Sequence, residues 1–111
     1  MDNFEVYGFI EDYDLYTFEN VFINKNIKEV HIDAYMNDPY MLFSRMVENS
    51  VTSLLQDGRL VIRKNNGKSS LVLMDIPFNS IMECIVKKYS NSHYQFVFVV
   101  ENVCYKILAI I

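Results

Sequence analysis

Apolar and polar residues alternate along much of this chain and elsewhere recur at three- and four-residue steps, so hydrophobic periodicity divides it into strands and helix. Ile27 to Ala34 is the cleanest alternation. Val30, Ile32 and Ala34 point one way and Glu29, His31 and Asp33 the other, as in a half-buried strand. Phe4 to Ile10 reads as a second strand, and Tyr16 to Ile23 as a third, joined to the Ile27 strand through Asn24-Lys25-Asn26.

From Asp38-Pro39 the period changes. A capping carboxylate precedes a proline whose missing N–H is harmless in a first helical turn. Leu42, Phe43, Met46, Val47, Val51, Leu54 and Leu55 then form an apolar stripe opposite Ser44, Arg45, Glu48, Asn49, Thr52, Ser53 and Gln56. This predicts one principal amphipathic helix over about 38–57, stopped by Gly58.

Arg59 to Lys64 and Ser69 to Asp75 flank Asn66-Gly67, a hairpin signal because both central turn residues need positive φ. A two-residue loop there pairs Ile62 with Leu71 and Leu60 with Leu73 on the core face. Pro77 to Tyr89 fits either period, which leaves a second helix open over 77–89. The strand reading is preferred for the short spacer Ser90-Asn91-Ser92 and the β-rich run beyond it.

Tyr94 to Val100 and Val103 to Ile110 form a last hairpin around Glu101-Asn102, with Phe96, Phe98, Tyr105 and Ile107 on one face and Val97, Val99, Cys104 and Leu108 on the other. Two apolar faces imply either burial on both sides, which is the expectation, or one side docked on a partner. The elements add up to an α+β fold: a mostly antiparallel β-sheet meander packed on one helix, forming a single domain over 1–111.

Charge changes the picture more than composition does. The net charge is −4, but through Asp38 nine acids face two lysines, a net of −7, and the rest of the chain is +3. An acidic first third repels phosphate backbones and attracts basic surfaces, which argues against nucleic acid and for a basic protein partner. The acidic beginning MDNFEVYGFIEDYD differs from a secretory signal. Phe96 to Ile111 is interrupted by Glu101, Asn102 and Lys106, short of the about 20 apolar residues of a membrane span. A cytoplasmic protein with no membrane partner is expected.

The search for chemistry returns little. Gly8, Gly58 and Gly67 cannot build a phosphate-binding loop. Cys84 and Cys104 lack metal-ligand spacing, and in a three-strand meander they stand about 9 to 10 Å apart, too far for a disulfide. A calcium loop starting at Asp12 would need a glutamate where Ile23 stands. His31, between Glu29 and Asp33, is the best candidate for a general base or weak metal ligand, but no third ligand or nucleophile accompanies it in the sequence. His93 reads as a surface turn residue. No cofactor, metal or catalytic residue is assigned, and an enzyme is not expected.

What remains is Glu11, Asp12, Tyr13, Asp14, Tyr16 and Glu19, acids interleaved with aromatics in a loop and strand start. As a solvated acidic loop whose tyrosines cover the core, the segment needs no partner. As a recognition patch, its aromatics anchor an interface and its acids steer a basic partner into register.

In length, acidity, Asn/Ile/Lys/Tyr-rich composition and an α+β build without catalytic residues, the chain resembles the immunity proteins of bacterial polymorphic and contact-dependent toxin systems. That resemblance implies an inhibitor that binds a cognate toxin directly, plausibly a nuclease whose phosphate-holding surface it occludes with carboxylates. The alternative is a binding or scaffold module, either a meander resembling pleckstrin-homology-like folds or a phage or viral accessory protein. A lipid-binding version would use Arg63, Lys64, Asn65, Asn66 and Lys68.

Overall fold

Every strand pairing among the described residues is antiparallel, and most join strands adjacent in the chain. The computed structural model describes residues 8–13, 15–36 and 40–111. The elements are β1 (Gly8–Tyr13), α1 (Leu15–Phe22), β2 (Lys25–Met36), β3 (Tyr40–Gln56), β4 (Arg59–Asn66), β5 (Ser69–Pro77), a 3-10 turn (Phe78–Ser80), β6 (Met82–Lys88), β7 (His93–Val100) and β8 (Val103–Ile110).

They form one open eight-stranded sheet in the order β1-β6-β7-β8-β2-β3-β4-β5. Two meanders, β2 to β5 and β6 to β8, meet where β8 lies beside β2, with Val30 opposite Ala109 and Ile32 opposite Ile107.

The expected helix over 38–57 is a strand, β3, and the cap at Asp38-Pro39 lies outside the described residues. Phe43 and Val47, and beyond a bulge Val51 and Leu55, are four residues apart, a spacing that lines one face of a helix and equally, being even, one face of a strand. Leu42 and Met46, which belong to the helical stripe but not to that strand face, are exposed, Met46 at 61%. An extra residue at Asn49-Ser50, both with positive φ, makes a β-bulge opposite Ile27–Glu29. Gly58 is not a helix stop: with Asp57 it forms the positive-φ pair of a two-residue hairpin joining β3 to β4.

The same ambiguity runs the other way at Tyr16–Ile23, expected as a strand and found as helix α1. Phe18 and Phe22, also four apart, are both fully buried. Their rings stack on each other at 5.4 Å and pack on Phe96 at 5.0 and 4.9 Å. Such ring pairs add about 0.5–1.5 kcal/mol each beyond burial. Asn24, at φ 60, turns the chain out of the helix, and the buried Ser53 hydroxyl of β3 donates to the carbonyl of Phe22.

Three expectations hold. β2 buries Val30, Ile32 and Ala34 as its alternation requires. The 77–89 segment is one 3-10 turn followed by strand β6 rather than a second helix. The last hairpin turns at Glu101-Asn102, both at positive φ, and buries Phe96, Phe98 and Ile107.

Two details differ. The β4–β5 loop is Gly67-Lys68, with Asn66 opposite Ser69, and an extra residue at Leu73 places Ile62 opposite Met74. Leu71 is therefore exposed and Met74 buried. The second face of the β7–β8 hairpin is also not fully covered, since Val97, Val99, Cys104 and Leu108 are half-buried. Cys84 lies in the core of β6 and Cys104 on β8, with β7 between them, and they are not joined in a disulfide.

Candidate interaction site

The sheet is sealed on its helix side and unfinished elsewhere. β3 pairs with β2 along its length, but β4 pairs only with Val51 to Gln56. From Tyr40 to Ser50, β3 therefore has a strand on one side only among the described residues. β5, the last strand of the sheet, likewise pairs only with β4.

One side chain bridges these two unpaired edges. Arg45 Nη1 on β3 donates to the carbonyls of Val72 at 3.3 Å and Leu73 at 3.2 Å on β5, and its guanidinium lies 5.1 Å from the centre of the Phe43 ring. The bulge at Asn49-Ser50 falls where β4 stops pairing with β3, and Arg45 is the side chain that reaches from beyond it to β5. The bulge's exposed carbonyls are met by Lys64 Nζ, which donates to Glu48 at 2.8 Å and Asn49 at 2.6 Å.

Both margins of this seam carry exposed large apolar side chains, Tyr40, Met41, Leu42 and Met46 on β3 and Leu71 and Val72 on β5, with Tyr40 at 71% exposure. Arg45, Arg63, Lys64 and Lys68 lie on β3, β4 and the β4–β5 turn together with Glu48, while Glu29 and Asp33 stand opposite Glu48 and Ser44 on the β2 side and Arg59 pairs with Asp75 at 2.7 Å. Arg63, directly opposite Val72, has its Nε buried with no hydrogen-bond partner.

The residues expected to form a recognition patch are divided between two elements. Glu11, Asp12 and Tyr13 lie on β1, with Glu11 and Asp12 in a break of register opposite β6. Tyr16 and Glu19 lie on α1, where Glu19 is exposed, and Asp14 falls outside the described residues. The segment is therefore an edge strand and a helix, not a loop and strand start. The basic residues proposed for lipid contact are partly tied down, Lys64 by the bulge carbonyls and Asn65 by Thr52 at 3.5 Å.

His31 gains a neighbour that sequence reasoning placed on a helix. Its Nε2 lies 3.0 Å from Ser44 Oγ and 3.1 Å from Asp33 Oδ1, and Ser44 donates directly to Asp33 at 2.5 Å. A nucleophilic triad needs the imidazole between serine and carboxylate, using a different nitrogen for each. Here one nitrogen meets both and the serine bypasses it, so the cluster ties β2 to β3. His93 Nδ1 lies 2.7 Å from Ser90 Oγ in the β6–β7 turn. No cluster of three or more His, Cys, Asp or Glu suited to a metal occurs among the described residues.

The seam was missed because the helix assignment put Arg45, Glu48 and Met46 on a different element. Asp57-Gly58, a hairpin dipeptide, was the available signal. Comparison with protein-family models, curated proteins and solved structures finds no match to this chain.

Proposed function

We propose that this chain is a non-enzymatic protein-binding module that acts by occupying a partner's surface, with the β3–β5 seam as its principal contact. The observation that carries this reading is the concentration of exposed Tyr40, Met41, Leu42, Met46, Leu71 and Val72 along two unpaired strand edges. Aromatic residues and methionine are enriched in interface cores, and large apolar side chains exposed along unpaired strand edges favour a contact with another chain. In its specific form the module is an inhibitor of the immunity-protein kind. The acids of the first third, Glu11, Asp12 and Glu19 among them, then steer a basic partner while the seam supplies the anchor. No helix among the described residues is long and apolar enough to cross a membrane.

The test begins with purification of the tagged protein from its host at low salt and identification of what remains bound. Binding of that partner is then compared between wild type, Met46→Glu with Leu71→Glu, and Glu11→Lys with Asp12→Lys and Glu19→Lys. The seam pair should weaken affinity by about tenfold or more through faster dissociation. The charge reversals should slow association and reduce its salt dependence. A partner whose affinity is indifferent to both sets refutes the proposal.

A further inference from the structure

We infer, building on the protein-binding reading, that the seam receives an extended acidic segment of the partner protein as an added strand against β5. Between β4 and solvent, β5 offers one strand edge whose groups are not engaged by another strand among the described residues. A strand laid there sits about 4.8 Å away and gains main-chain hydrogen bonds along its length. Proteins protect such edges with charge, bulges and proline. On β5 the extra residue at Leu73 and the terminal Pro77 cover one end and Arg45, on the Val72 and Leu73 carbonyls, the middle, which leaves Ser69 to Leu71.

The side chains select the partner's chemistry. Arg45 now spends its guanidinium on two neutral carbonyls, Val72 and Leu73. An incoming strand can supply N–H donors to carbonyls on this edge. The displaced guanidinium then needs an acceptor, and a carboxylate gives it a charge-assisted bond stronger than those it loses. Arg63, opposite Val72 on the neighbouring strand, adds positive charge beside this edge. Lys68, in the Gly67-Lys68 loop next to Ser69, extends the positive rim. A basic segment would leave Arg45 and Arg63 facing like charge, and a neutral one would leave them without a carboxylate, so the seam discriminates by repulsion as well as attraction. Leu71 and Val72 supply apolar contact for the partner's alternate residues.

The experiment uses three fluorescent peptides of roughly ten residues, the upper end of ordinary strand length, alternating valine with glutamate, lysine or serine. Anisotropy titrations with the full chain should show the glutamate peptide binding about tenfold or more tighter than the others. Arg45→Glu and Lys68→Glu, each confirmed as folded by circular dichroism, should abolish that preference. Hydrogen exchange should show the Ser69 to Leu73 amides slowed by the glutamate peptide.

Equal binding of the lysine peptide, no binding of any peptide, or protection confined to β1 overturns the inference. So does sedimentation showing that the chain alone dimerises and loses the dimer on Arg45→Glu, which would make the occupant a second copy. If the natural partner is lost on Met46→Glu with Leu71→Glu while the peptides are not distinguished, protein binding at the seam stands and the acidic strand falls.

Discussion

Two regions of this sheet are covered to very different degrees. Around α1, the rings of Phe18, Phe22, Phe96 and Phe98 are all fully buried, and the helix is pinned by the Ser53 hydroxyl. At the seam, two strand edges are linked by one arginine reaching two carbonyls, with large apolar side chains exposed on both strands. The first arrangement has little left to gain from a partner. The second has strand edge unpaired among the described residues, exposed apolar side chains, and cations bonded to neutral carbonyls, and each of those is improved by association.

The contrast can be broken at its strongest point. Phe96→Ala removes the ring on which both helix phenylalanines pack and should destabilise the fold by about 3–5 kcal/mol in urea unfolding. Leu71→Ala, at an exposed seam position, should change stability by less than about 0.5 kcal/mol. Comparable losses would mean that the seam is as much a part of the core as the helix side.

Next in size is Ser53→Ala. Its hydroxyl donates to Phe22 and accepts from the Lys25 amide at 3.3 Å, so truncation strands a buried carbonyl where α1 meets β2. A loss of about 1–3 kcal/mol is expected. Amide exchange in α1 should quicken while that of β5 is unchanged.

The smallest effect sharpens the boundary between the two regions. Burial, and secondarily the charge of Glu101, raises the pKa of Tyr105, which stacks on Phe98 at 5.5 Å. The folded state thus holds the phenol proton more tightly than the unfolded chain. That contribution is complete below the unfolded value of about 10 and is lost as pH rises through the higher folded value. Wild type should lose stability between pH 9 and pH 11 more steeply than Tyr105→Phe; parallel curves would contradict this.

Legibility in the sequence followed the same division. Alternation at odd and even positions identified β2 and the β7–β8 hairpin, because Val30, Ile32, Phe96 and Phe98 are separated by two residues, which no helix face tolerates. Spacing by four failed in both directions: Phe43, Val47 and Val51 looked helical in a strand, and Phe18 and Phe22 lie on a helix within a segment read as a strand. What decides such segments is the surface they pack on. Phe18 and Phe22 meet two aromatic rings of β7, whereas β3 has β2 to pair with.

The acidic segment was visible as composition, but its division between β1 and α1 was not. The seam was invisible because it depends on a bulge at Asn49-Ser50 and on Arg45 reaching across to Val72.

The most direct test of the central claim is hydrogen exchange on the complex with the natural partner. The account predicts slowed exchange at Ser69 to Met74 of β5 and at Tyr40 to Glu48 of β3, with β7 and β8 unaffected. Protection confined to β1 and α1, with the seam exchanging as in the isolated chain, would contradict it.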